Sequence, residues 1–116
     1  MADPIQVLFN PRCSKCRQAR DLLEERGVEF ELRHYLDNPL SKDEISGVLT
    51  KLGAEDASPL LRAKEPAFQE LGLAQADASA RLDALAQHPS LMERPVVIRG
   101  DRAVVARPPE LLLDLL

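Results

Sequence analysis

Apolar positions change their spacing several times along this chain, and each change marks an element. Ile5 to Phe9 is a short apolar run held between Pro4 and Asn10-Pro11, the pattern of a buried strand. From Cys13 to Arg26 the spacing becomes helical, with Ala19, Leu22 and Leu23 on one face and Arg17, Arg20, Asp21, Glu24 and Glu25 opposite. Gly27 stands where such a helix stops. Val28 to Tyr35 then alternates: Val28, Phe30 and Leu32 point one way, Glu29, Glu31 and Arg33 the other. Strand, helix and strand in this order predict a right-handed crossover between parallel strands.

The middle of the chain reads as helical. Ser41-Lys42-Asp43-Glu44 has the form of a capping box opening a helix through Leu52, which Gly53 ends. Shorter helical stretches are expected over Ser58 to Leu61, Glu65 to Leu71 and Ala78 to Gln87, the last stopped by His88-Pro89. Strand character returns in Val96 to Arg99 and Ala103 to Ala106, with Gly100-Asp101 as a two-residue hairpin turn. Pro108-Pro109 can then open a last helix, Glu110 to Leu116, whose leucines would cover the sheet. The expected architecture is α/β: a four-stranded mixed sheet with flanking helices, and a helical insertion (about 41–90) between the second and third strands. One domain is expected over residues 1–116.

Composition narrows the function. The formal charge of −4 and the absence of Trp argue against a nucleic-acid binder, which needs basic surface and aromatic platforms. No stretch has the length of a membrane span, and Met1 to Asn10 lacks the basic start and apolar middle of a secretion signal. A cytoplasmic protein is expected, and in a reducing compartment its two cysteines point to catalysis, redox cycling or metal binding rather than a standing disulfide.

Both cysteines lie in Asn10-Pro11-Arg12-Cys13-Ser14-Lys15-Cys16-Arg17, where strand gives way to helix. The first turn of a helix leaves backbone N–H groups open and carries partial positive charge, which favours Cys13 as a thiolate; Arg12, Lys15 and Arg17 are expected to push the same way. A CxxC opening the helix of such a unit is the thioredoxin-like arrangement. Zinc would need two more ligands, and only His34 and His88 remain, neither at finger-like spacing; both are read as surface or cap residues. Asn10 is read as a turn former that shapes the cysteine loop. Arg62, Arg94 and Arg107 each stand beside an element end, and forked guanidinium donors converging on one pocket would bind a tetrahedral oxyanion. Pro95 is a candidate cis proline.

Asn10-Pro11-Arg12-Cys13-Ser14-Lys15, Tyr35-Leu36-Asp37-Asn38-Pro39, Leu61-Arg62, Glu70-Leu71-Gly72-Leu73, His88-Pro89, Glu93-Arg94-Pro95 and Arg107-Pro108, in this order, resemble the glutaredoxin-linked arsenate reductases over nearly the whole chain. The resemblance implies a thioredoxin-like fold with a helical insertion. It further implies that Cys13 attacks arsenate, that Arg62, Arg94 and Arg107 bind the oxyanion, and that glutathione is co-substrate with glutaredoxin as partner. No metal or bound organic cofactor is implied, and a monomer is expected.

Two departures from the family pattern stand out: Cys16 occupies a position where many members have Ser, and Phe9 one where some have His. One helical turn separates Cys13 from Cys16, which makes Cys16 a candidate resolving thiol. Two other readings remain open at this point. One is a redox-sensing regulator of RNA polymerase with the same fold; the other is a thiol-disulfide reductase of the family with a different substrate.

Overall fold

The computed structural model describes residues 4–116; Met1, Ala2 and Asp3, the first part of the N-terminal reading, lie outside the described residues. Four strands, β1 (Ile5–Phe9), β2 (Phe30–His34), β3 (Val96–Arg99) and β4 (Arg102–Val105), form one sheet in the order β2-β1-β3-β4. β1 runs parallel to β2 and antiparallel to β3, and β3 is antiparallel to β4, so the mixed sheet expected from the sequence is the one that forms. The helices are α1 (Ser14–Glu25), α2 (Lys42–Leu52), α3 (Pro66–Glu70) and α4 (Ala78–Gln87). No helix among the described residues is long and apolar enough to cross a membrane.

The chain groups into two compact units: one comprises the residues up to Asn38 together with Arg94–Leu116, the other Pro39–Glu93. In the first, Ile5, Val7 and Phe9 of β1 share a core with Cys16, Ala19 and Leu23 of α1 and with Val97, Ala106, Leu112 and Leu115. Burying one leucine of this kind stabilises by about 1.5–3 kcal/mol. α1 ends where the sequence says it should: Gly27 takes a left-handed φ of 69°, and its N–H and that of Arg26 return to Glu24 O and Leu22 O.

In the second unit, the Ser41 hydroxyl accepts from Glu44 N at 3.1 Å while Glu44 Oε1 accepts from Ser41 N at 3.0 Å, completing the expected capping box. Asp77 caps α4 by accepting from Ala80 N at 2.8 Å, and Lys42 pairs with Asp83 at 2.7 Å. Leu61 and Met92 form an isolated antiparallel bridge, flanked by Arg62 N to Leu91 O at 2.8 Å and Glu93 N to Leu60 O at 2.6 Å.

The structure shortens several expected helices. Ser58–Leu60 is a 3₁₀ turn, and further 3₁₀ turns not foreseen in the sequence occupy Leu73–Gln75 and Pro89–Leu91. The final segment, Pro109–Leu115, is a 3₁₀ run rather than the expected α-helix. Its buried leucines, Leu112 and Leu115, are three residues apart, and a helix with three residues per turn stacks such positions on one face. Arg99 Nη1 then donates to Leu115 O at 2.7 Å and ties down the end of the chain.

Candidate active site

Strand register decides what meets Cys13. Phe9 is paired with His34, Leu8 with Val96, and Val96 with Val105. The loop leaving β1, the exit of β2, the entry to β3 and the exit of β4 therefore share one end of the sheet, which brings Asn10–Cys13, Tyr35, Arg94 and Arg107 there. The cysteine loop is built by its own turn chemistry: Asn10 Oδ1 accepts from Arg12 N at 3.0 Å, and Asn10 O accepts from Cys13 N at 3.0 Å. Asn10 is buried and fills the turn-forming role read from the sequence.

Cys13 is the N-cap of α1, in extended conformation, and is 8% exposed. The N–H groups of Cys16 and Lys15 face its sulfur without closing into a conventional side-chain cap. Burial pushes the Cys13 thiol up, but the Cys16 backbone N–H, the Arg94 side chain, the Cys16 thiol and the Lys15 backbone N–H outweigh it and bring the pKa down to about 7. The helix N–H groups act as the sequence analysis expects, whereas the side-chain charges of Arg12, Lys15 and Arg17, expected to push the same way, are not among the main causes. Lys15 acts through its backbone, Arg17 Nη1 donates instead to Pro11 O at 2.8 Å, and Arg12 is exposed. Arg20 is committed elsewhere too, to Asp21 at 3.0 Å and to the Phe9 ring, 5.8 Å from its centroid.

Cys16 is fully buried. Burial pushes its thiol up to about 12, and the neighbouring Cys13 charge adds to the rise against opposing contributions from the Asn10 backbone and Arg94. Cys13 is therefore the cysteine that ionises first, while Cys16 is held as a thiol beside it. The two cysteines are thus chemically unequal.

Arg94 is half-buried. Burial works against its charge, but the Cys13 sulfur and the Tyr35 hydroxyl outweigh that and hold it more firmly as a cation. Arg107 is exposed, and its Nη1 donates to Arg94 O at 3.0 Å, so it steadies the backbone that carries Arg94. The Arg94-Pro95 bond is cis, as the sequence suggested, and Arg107-Pro108 is a second cis bond that it did not. Arg62 belongs to the other unit; its Nε lies 3.8 Å from Glu65 Oε1, and its buried Nε and Nη1 have no hydrogen-bond partner among the described residues. His34 is exposed at the strand end, edge-on to Phe9 with ring centroids 5.4 Å apart, and His88 is exposed at the end of α4. Among the described residues no cluster of three His, Cys, Asp or Glu side chains could hold a metal.

One member of the site had no role in the sequence reading. Tyr35, the only tyrosine in the chain, lies just past the end of β2 with its side chain fully buried. The signal was present in the sequence as a lone polar aromatic ending an alternating strand. Taken together, a low-pKa sulfur, open helix N–H groups and a guanidinium make a place where an oxyanion can be held and attacked. A cavity of about 590 Å³ at the opposite end of β1 and β2, lined by Pro4, Ile5, Val28, Glu29, Phe30 and Glu31, contains no nucleophile.

Known proteins share this arrangement of elements. The sequence model described as the ArsC family matches residues 8–115. The arsenate reductase of Neisseria meningitidis serogroup A is 44% identical over 108 residues, covering 91% of this chain and 92% of that protein. The arsenate reductase of Haemophilus influenzae is 37% identical over 112 residues, with 95% and 97% covered. A solved structure described as arsenate reductase from Vibrio cholerae superposes with a TM-score of 0.94 at 35% identity, covering 100% of both chains.

Proposed function

This chain belongs to the ArsC family, and from that premise we propose that it is an arsenate reductase with Cys13 as its nucleophile. The observation that carries the reading is the Cys13 sulfur, lowered to about 7 at the start of α1 beside Arg94. Arsenate fits such a place because forked N–H donors match its oxygens and offset the charge that builds during attack. The resemblance to glutaredoxin-linked members extends oxyanion binding to Arg107 and Arg62.

The chemistry then runs on thiols alone. The Cys13 thiolate bonds to arsenic, and one arsenate oxygen leaves with protons as water. Glutathione thiolate next attacks the Cys13 sulfur, and arsenic departs with the bonding electron pair as arsenite. Arsenic has gained two electrons, and Cys13 and glutathione have become a mixed disulfide, which glutaredoxin reduces. No metal or bound organic group takes part in this scheme.

Cys16 supports a second exit from the same intermediate. Once Cys13 is covalently occupied, its negative charge no longer opposes ionisation of Cys16, one helical turn away, and burial is the larger barrier that a resolving thiol there must still overcome. An arsenite-release assay with glutathione and glutaredoxin on wild type, Cys13→Ser and Cys16→Ser tests both routes. Loss in Cys13→Ser alone supports the glutathione route, and loss in both supports an internal disulfide. No arsenite from wild type with any thiol donor would sink the arsenate reading.

A further inference from the structure

A buried hydroxyl without a hydrogen bond costs about 1–3 kcal/mol, so each one in a folded protein calls for a reason. Tyr35 carries such a group. Its residue exposure is 0%, and Oη has no hydrogen-bond partner among the described residues. The β1–β2 register puts Tyr35 one residue beyond the His34 that pairs with Phe9, beside the loop that carries Cys13. There the hydroxyl is in electrostatic reach of Arg94, Cys16 and Cys13. We propose that Tyr35 is a positioning residue of the thiol site, its buried hydroxyl bracing the Arg94 guanidinium against the Cys13 sulfur and against the oxyanion seated there. The second half of this assignment rests on the arsenate reading; the first does not.

The choice of a phenol has a physical logic. A carboxylate in the same place would orient Arg94 but also cancel the charge that a thiolate and a developing oxyanion require. A neutral hydroxyl offers a lone pair to the guanidinium and leaves its charge available. Burial pushes the Tyr35 hydroxyl up to about 12 despite the opposing pull of Arg94, so it stays neutral wherever Cys13 titrates. The hydroxyl and the Arg94 guanidinium act on one another without meeting full hydrogen-bond geometry. The groups that act most on Cys13 are Cys16 and the Lys15 backbone from α1 and Arg94 from the entry to β3, and Tyr35 at the exit of β2 in turn senses Arg94, Cys16 and Cys13.

The test reads the sulfur directly. Rates of Cys13 alkylation by iodoacetamide are measured against pH for wild type, Tyr35→Phe, Arg94→Ala and the double variant, with Tm measured alongside. Tyr35→Phe keeps the buried ring and removes only the hydroxyl, so Tm is expected to change little. The Cys13 midpoint is expected to move up by about half a unit with the high-pH limiting rate unchanged. In the Arg94→Ala background the same substitution is expected to move nothing. A midpoint that stays or falls in Tyr35→Phe overturns the proposal, as does a rise of equal size with Arg94 already gone. Because alkylation needs no arsenate, a wild type that released no arsenite would sink the substrate reading and leave this assignment to be decided by its own titration.

Discussion

The start of α1 and the start of α2 face the same physical problem, since the first turn of any helix leaves backbone N–H groups without partners. α2 solves it with its own side chains. Ser41 and Glu44 close a reciprocal box, and Asp43 and Glu44 add negative charge to the first turn. α1 begins instead with Cys13, and its first turn is Ser14, Lys15, Cys16 and Arg17, which supplies no carboxylate. The N–H groups there face a sulfur that they, together with Arg94 and the Cys16 thiol, bring down to about 7. One helix end is closed by its own side chains, and the other presents its N–H groups to a cysteine sulfur. An uncapped helix start whose N-cap is a cysteine therefore reads as a functional site, because the stabilising alternative lies within the range of ordinary sequence choices.

That contrast can be broken at several points. The largest effect is expected from Cys13→Ser, which should lower arsenite release by about 10³-fold or more while circular dichroism shows the fold retained. Arg94→Ala should reduce kcat/KM for arsenate by about 10²-fold and raise the alkylation midpoint of Cys13, because it removes the guanidinium that faces the sulfur. Arg107→Ala should follow in the same direction with a smaller loss, as it frees the Arg94 carbonyl and removes a guanidinium that does not itself face the sulfur closely enough to be among its main influences. In wild type, activity should rise with pH through about 7 as Cys13 ionises, and a flat profile between pH 6 and 8 would contradict an ionising nucleophile.

Two milder changes sharpen the comparison by making each helix start more like the other. Ser14→Glu gives α1 the first-turn carboxylate that α2 has. It should raise the Cys13 midpoint by a few tenths of a unit and stabilise the helix by about 0.3–1 kcal/mol, read by alkylation and denaturant melts. Ser41→Ala opens the α2 box and should cost about 1 kcal/mol of stability with the Cys13 titration unchanged. A shift in that titration would mean that the two helix starts are not independent.

Much of this was legible from residue order. The alternation in Val28 to Tyr35, the Ser41–Glu44 box and the Gly27 and Gly53 stops each encode their element locally, because caps and periodicity act over a few residues. The last segment differs from the expectation because the leucines of Glu110 to Leu116 suit either helix type, and the run forms as 3₁₀ with Leu112 and Leu115 in the core. The site was half legible. Cys13 and the helix-start N–H groups that favour its thiolate could be named, but the shares that Arg94 and the Cys16 thiol add could not.

By itself the sequence determined the strand-helix-strand order, the position of Cys13 at a helix start and the thiol chemistry available to it, since these depend on neighbours along the chain. Tertiary structure decided which charges the sulfur meets. Arg17, four residues away, turns back to Pro11 O, whereas Arg94 and Tyr35, distant along the chain, reach Cys13 through the register of β1 with β2 and β3. Electrostatic influence falls with distance through space and is strengthened by burial, and neither quantity is written in the spacing of residues along a chain.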